Sequence, residues 1–425
     1  MTVHGETATP PQEEDFAVFI AIDWADKKHV WALGKAGSPK REQGEIEATP
    51  EAVEAWISEL RARLAGQRIA VALEQKRGPL LCQLSKYPEL VLYPVHPATV
   101  SRMRAALYPS SSKDDPKDAD LLLDILLHHR KHLRRLDADT IETRKLQMLV
   151  EDRRHLVDQQ TAYAHQLRAR LKLYFPQALR WLPELDAPLA ADFLKRWPIL
   201  PLLQKARLKT IRSFFQQHNC RSVALLTQRL QEIPQAVVAT EDAAVVESGT
   251  AIVRALLDLI AVLRTHIAAL DQQIAATAAV HPELPIVASL PGAGAAMEPR
   301  LIAALGTRRE RFADASELQT LSGIAPVQRC SGQSEWIHFR WACPKFLRQT
   351  FHEWAGHSIA HSRWAKAYYD AQIAKHKGHH AAVRALAFKW QRILFRCWKD
   401  HQPYDEDQYI ETLRRRGSPL ADALS

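Results

Sequence analysis

Phe16-Ala-Val-Phe-Ile-Ala-Ile22-Asp23-Trp24 decides the fold: seven apolar residues without a break, closed by a carboxylate. An uninterrupted apolar run of this length reads as a strand buried on both faces, central in a sheet. His29-Val-Trp-Ala-Leu33 follows after a short polar stretch and fits a neighbouring strand on a tight connection. Outward from there, Pro50–Leu64 places Val53, Trp56, Ile57, Leu60 and Leu64 at helical spacing. Arg68-Ile-Ala-Val-Ala-Leu73 is a second buried strand that also ends on a carboxylate, Glu74. Residues 78–84 read as a helix and Leu90-Val-Leu-Tyr-Pro-Val95 as another strand. The order strand, strand, helix, strand, helix, strand predicts an α/β layer architecture.

Beyond Ala119 the chain turns helical. Residues 143–173 are rich in Arg, Leu, Gln and His, and residues 243–278 place Val245, Ile252, Leu256, Ile260, Leu263, Ile267, Leu270 and Ile274 at spacings of three, four and seven. The second segment predicts a helix of about nine turns, paired with the first in an antiparallel coiled coil or, alternatively, with a second copy. Residues 178–236 read as an irregular helical insert. A further unit opens near Pro282 with Leu290-Pro-Gly-Ala-Gly294, followed by helix signals, Phe312 and Gly323-Ile-Ala-Pro326. The expected divisions are an arm over 1–15, an α/β domain over 16–136, a helical region with an insert over 137–285, a mostly α domain over 286–400 and a fraying tail over 401–425.

The 425 residues carry 57 Lys plus Arg against 48 Asp plus Glu, a formal charge of +9. Of that excess, residues 331–400 hold 12 cations and 4 carboxylates. Such a distribution favours a polyanionic partner, nucleic acid first. The five cysteines are odd in number, dispersed and without a C-x-x-C pair, so they read as reduced thiols. No apolar run is long enough for a signal peptide or a membrane span, and a cytoplasmic location is expected.

Asp23 and Glu74 stand at the ends of two core strands, where ligands bind in open α/β sheets and where an unpaired carboxylate is costly to desolvate. Downstream, Ser112-Lys-Asp-Asp115-Pro-Lys-Asp118-Ala-Asp120 opens an apolar helix, with Asp115 and Asp118 at i and i+3 on one side of its first turn. Each carboxylate by itself also fits a loop start or a helix cap. Together they could gather at one sheet edge and hold Mg²⁺ for phosphodiester chemistry. The Pro-Gly-x-Gly turn at 291–294 can present backbone N–H groups to a phosphate, or be an ordinary glycine turn.

In order and spacing, Ile20-Ala-Ile-Asp-Trp24, Ala72-Leu-Glu74, Tyr93-Pro-Val-His-Pro97 and Lys113-Asp-Asp-Pro-Lys-Asp-Ala119 resemble the motifs of the DEDD insertion-sequence transposases. That family includes Piv-type DNA invertases and bridge-RNA-guided recombinases. The resemblance covers about residues 16–136 and 286–400 and leaves 175–240 unmatched. It implies a RuvC-like, ribonuclease-H-type domain that binds Mg²⁺ through Asp23, Glu74, Asp115 and Asp118. Asp114 stands where the family has Thr, so Asp114 and Asp120 remain alternatives for Asp115.

In the C-terminal part the resemblance runs through a helix-hairpin-helix-like element with Gly292 and Gly294, then Phe312, Gly323-Ile-Ala-Pro326 and Cys330-Ser-Gly332. It implies Ser331 as nucleophile, with Ser334 the alternative, and Arg340, Lys345 and Arg348 in nucleic-acid contact. It further implies donor and target DNA as substrates, an element-encoded guide RNA, and a homo-oligomer, dimer or tetramer. A metal-dependent junction endonuclease acting only by hydrolysis and a non-catalytic nucleic-acid scaffold are the competing readings.

Overall fold

The computed structural model describes residues 16–74, 78–108, 115–332, 334–422 and 424; the arm over 1–15 lies outside them. The chain forms two compact units, one ending at Ala138 and one beginning at Asp139. Among the described residues no helix is long and apolar enough to cross a membrane.

The first unit is a five-stranded sheet in the order β3-β2-β1-β4-β5. β1 (Val18–Asp23), β2 (Lys28–Gly34) and β3 (Arg41–Glu47) form an antiparallel meander. After α1 (Pro50–Arg63), β4 (Ile69–Leu73) pairs parallel to β1; after α2 (Pro79–Leu84), β5 (Leu90–Pro94) pairs parallel to β4. β1 is thus central, as its apolar run predicts.

Alternation along the strands sorts their side chains to two faces. Ile20, Ile22, Val71 and Leu73 pack with Val53, Ile57 and Leu60 of α1. Phe19, Ala21, Ala70 and Ala72 face the other way, against Ala119, Leu122 and Leu126. Those three belong to α4 (Asp115–His129), which follows α3 (Pro97–Leu107). The alanines make this face shallow, so α4 can lie close to β1 and β4.

β3 is absent from the pattern reading. Its sequence Arg-Glu-Gln-Gly-Glu-Ile-Glu has one buried side chain, Ile46, and no apolar alternation. It is held from β2 and by an indole: a Cβ at Gly44 would lie 2.7 Å from the Trp31 ring.

The second unit is mostly helical. α5 (Ile141–Tyr174) and the helix Ala243–Ala279 run side by side in opposite directions. Thr143 meets His281 at 2.9 Å, Arg153 pairs with Asp271, and the Tyr174 ring lies against Gly249. Between them the chain makes α6 (Ala178–Trp181), α7 (Pro188–Arg196), α8 (Leu200–Gln204), α9 (Leu208–Gln217) and α10 (Val223–Gln235), so the helix paired with α5 is α11. This insert has a core of its own, including Phe175, Trp181, Phe193, Phe214 and Phe215, closed onto the ends of α5 and α11.

At the other end of the helix pair, Leu146, Val150, Ile274 and Ala278 join a core of α12 (Leu284–Ala288), α13 (Gly294–Leu305) and α14 (Ala315–Leu321). The same core takes in α15 (Lys345–Ser358), α16 (Arg363–Ala374) and α17 (His379–Asp400), with Trp354, Trp364, Trp390 and Trp398 fully buried. Before α15 the chain makes an antiparallel hairpin of β6 (Val327–Ser331) and β7 (Ser334–His338), which the helical reading of this region missed.

Residues 401–415 do not fray as expected. α18 (Glu406–Arg415) buries Ile410, Ser362 donates to Glu406 at 2.6 Å, and the Trp364 indole donates to Tyr404 at 2.7 Å. A last turn, α19, covers Pro419–Asp422.

Candidate functional site

Ile22 and Leu73 are direct register partners on the parallel strands β1 and β4. The next residue on each strand is a carboxylate, so Asp23 and Glu74 leave the sheet side by side at strand spacing, about 4.8 Å. Alternation puts both on the face of Ala21 and Ala72, the one that α4 covers.

The height of α4 over the sheet follows from its contacts with β3. Asp124 pairs with Arg41, whose register partners are Gly34 and then Phe19. One turn earlier, Asp120 accepts from Gln43 at 2.6 Å, level with Ala32 and Ala21. Each helical turn of about 5.4 Å matches about two strand residues. The turn before that, with Asp115 and Asp118, therefore comes level with Asp23.

Sequence spacing brings these acids to one edge, but their partners were not legible in it. Asp118 is 3% exposed and lies 2.7 Å from Arg104 of α3. The Arg104 Nε–H does not point along that contact, so charge holds the pair more than a directed hydrogen bond does. Arg104 is the residue the motif reading missed, and no sequence signal marks it, because only the packing of α3 on α4 brings it there. Asp120 is engaged with Gln43 and Arg41 on the β3 side. Of Asp115 the backbone alone is described, opening α4, and Asp114 lies outside the described residues.

An all-carboxylate donor set suits a hard divalent cation such as Mg²⁺. In this conformation, among the described residues, no three His, Cys, Asp or Glu side chains gather closely enough to hold a metal ion. Asp118 would have to exchange Arg104 for the cation.

Ser331 is the last residue of β6 and pairs with Ser334 across the hairpin turn, where Gly332 has φ +58°. Both serines are exposed, and among the described residues no hydrogen bond reaches the Ser331 hydroxyl. The hairpin is secured at its base. The Arg340 guanidinium donates to the Ala325 carbonyl at 3.2 Å, and Arg348 donates to the Arg340 carbonyl at 3.1 Å. Phe339 lies against the guanidinium groups of Arg348 and Arg384, with centroid distances of 4.7 and 4.6 Å. Burial and the neighbouring Arg348 hold the Arg384 pKa below its ordinary value. Arg340 and Arg348, predicted as phosphate contacts, thus also build the hairpin's footing, whereas Lys345 is exposed at the start of α15.

Gly292 and Gly294 have φ of +72° and +53°. A Cβ at Gly292 would lie 2.8 Å from the backbone of His357 and Ser358, so this glycine lets α15 close on the turn. Beside it is a cleft of about 390 Å³ lined by residues 292–297, His357 and His361. α13 begins there without a side-chain cap, leaving its first N–H groups turned outward.

Two family models match parts of this chain. A DEDD-type IS110 transposase model matches residues 20–176, and a model of the IS116/IS110/IS902 transposase family matches residues 284–370, together more than half of the chain. The mini-circle putative transposase for IS117 of Streptomyces coelicolor is 27% identical, over 94% of this chain and 98% of its own length. The 43.6 kDa protein of insertion element IS110, from the same organism, is 28% identical over 73% of this chain and 76% of its own. The 42 kDa protein of insertion element IS900 from Mycobacterium paratuberculosis is 27% identical over 71% and 75%.

Proposed function

Because the chain belongs to the IS110/IS116 family of DEDD-type insertion-sequence transposases, we propose that it cleaves and rejoins DNA with a metal-binding carboxylate site and a serine nucleophile. The observation that carries the reading is the placement of Asp23 and Glu74 at adjacent ends of the parallel strands β1 and β4, beside the sheet face that α4 covers. Asp23, Glu74, Asp115 and Asp118 would hold Mg²⁺, in a RuvC-like domain. Bound there, the cation supplies charge neutralisation for a phosphodiester and for the oxygen leaving it.

The protein's own groups do the remaining work. The Ser331 Oγ attacks phosphorus, forming a Ser–O–P bond as the bond from phosphorus to a deoxyribose oxygen breaks. The serine proton leaves, and the departing deoxyribose oxygen takes up a proton. A hydroxyl of the partner strand then reverses these steps, regenerating serine and a joined strand. One phosphodiester is consumed and one made, so bond energy is conserved and no nucleotide need be hydrolysed to drive rejoining.

Arg104 holds Asp118 in place before the cation arrives. Gly292 and Gly294, with the α13 N-terminus, and Arg340, Lys345 and Arg348 contact nucleic-acid backbone, the former in a helix-hairpin-helix-like manner. The α5–α11 pair packs as a coiled coil, an RNA from the element selects donor and target DNA, and the protein acts as a homo-oligomer.

The test is strand exchange between supercoiled donor and target plasmids, with Asp23→Ala and Ser331→Ala assayed beside wild type and with the RNA that copurifies added back. Wild type should give Mg²⁺-dependent exchange and a protein–DNA adduct stable to denaturation. Neither variant should exchange strands, and Ser331→Ala should form no adduct. Undiminished exchange by Ser331→Ala would overturn the serine mechanism.

A further inference from the structure

From Phe193 to Gln231 the insert runs for 39 residues without one Asp or Glu while carrying eight Lys or Arg. Three of these cations have partners within the fold. Lys195 pairs with Asp258, Arg196 lies over the Trp197 ring, and Arg229 lies over Phe215. The other five, Lys205, Arg207, Lys209, Arg212 and Arg221, are all exposed. Among the described residues none of the five makes an ion pair, a side-chain hydrogen bond or a ring contact. Four of them fall within eight residues at the start of α9.

α9 turns Ile211, Phe214 and Phe215 inward. Its outer side presents Lys209, Arg212, Ser213 and Gln216, spaced one helical turn apart, so that every side chain on that strip can donate a hydrogen bond. Four cations within eight residues repel one another, and no ion pair among the described residues compensates them. A surface of this kind is stable chiefly when a polyanion covers it.

We propose that this face of the insert, centred on Lys205, Arg207, Lys209 and Arg212, docks on the phosphate backbone of duplex DNA, outside the strand-exchange site. A duplex carries about one negative charge per 1.7 Å of axis. Over one turn of α9, about 5.4 Å, that gives about three phosphate charges, enough to meet both Lys209 and Arg212. The aromatic residues select duplex over single strands. All six Phe and Trp rings of the insert, Phe175, Trp181, Phe193, Trp197, Phe214 and Phe215, are buried, so none of them offers an exposed platform on which an unpaired base could stack. The contact is with phosphates and carries no base readout, so it adds affinity and position without adding to the target sequence.

This docking extends the transposase reading but needs none of its chemistry, so the two fail separately. The experiment measures binding of the full chain to a labelled 40-base-pair duplex across a salt series, alongside duplex RNA, single-stranded DNA and phosphatidylserine vesicles. In the variant with Lys205, Arg207, Lys209 and Arg212 all changed to Gln, the slope of log affinity against log salt should become shallower by about 3. Duplex affinity should fall roughly 10- to 100-fold at moderate salt, with the melting temperature unchanged or higher. Ser213→Lys, which adds a cation to the same strip, should tighten binding and steepen the slope by about 1.

An unchanged slope in the fourfold variant would overturn the proposal. So would a loss confined to duplex RNA, to single strands or to vesicles, because each would assign the face to a different partner.

Discussion

Asp23 and Glu74 leave strands whose side chains are nearly all buried, whereas Ser331 closes a hairpin in which every described residue of β7 is exposed. The acidic site is braced from three directions, by α1 below the sheet, α4 above it and strand partners on either side. The hairpin is braced only at its base, through Arg340, Arg348 and Phe339, and leaves Trp336, Ile337 and Trp341 at 49%, 70% and 80% exposure. A lone two-stranded hairpin is marginal in water. The contrast separates two tasks: cation coordination needs oxygen atoms fixed to within tenths of an ångström, whereas a nucleophile needs access to its phosphate.

The largest test of this division removes each reacting group in turn. Asp23→Ala and Ser331→Ala should each lower strand exchange on the order of 10³-fold or more. Calorimetry should find Ser331→Ala as stable as wild type, since its side chain is exposed. If Ser331→Ala unfolds earlier, the hairpin is better supported than its exposure indicates.

Arg104→Gln comes next. It leaves the Asp118 carboxylate buried without its cation and should destabilise the first unit by about 2–4 kcal/mol. Arg104→Gln combined with Asp118→Asn should recover most of that loss, because the pair is then neutral on both sides; a double-mutant cycle by denaturant unfolding measures the coupling. Additive losses would show that the bracing of α4 does not run through this pair.

Gly323→Ala probes the hairpin's footing. Gly323 has φ +72°, and a Cβ there would lie 2.3 Å from the Cys343 Sγ. The expected loss is about 1–2 kcal/mol, with faster proteolysis within residues 327–341 and little change in the first unit.

Acid gives the smallest effect and should touch both units. His29 in the first and His281 in the second are buried, and burial holds both pKa values below the ordinary 6.5. The Nδ1 of His281 accepts from the Glu283 N–H at 3.2 Å, which leaves Nε2–H to donate to Thr143. As pH falls below about 6.5 the unfolded chain takes up protons that the folded one refuses. Stability is therefore full above that pH and declines beneath it. His281→Gln should flatten the decline for the second unit and leave that of the first.

Where burial is uniform the chain announces itself. The unbroken apolar runs at 16–22 and 69–73 are legible as buried strands, and the carboxylates that end them as candidate site residues. β3 was not legible, since one buried Ile46 among charged residues makes no period, nor was the hairpin, whose exposed strands have no core to alternate against. The Arg104–Asp118 pair lay beyond sequence reading because it depends on how two helices cross. Ser331 became a candidate through resemblance to a family and not through its surroundings, which place no base beside it.

The meeting of Tyr174 with Gly249 has a topological consequence. The insert leaves α5 and re-enters α11 at the same spot, so it occupies one corner of the chain and threads through nothing else. A segment with adjoining ends can be excised and bridged by a short turn, or exchanged for another, without re-routing the helices on either side. Lineages of such elements could therefore gain, lose or trade this module in a single genetic step while the strand-joining machinery stayed the same.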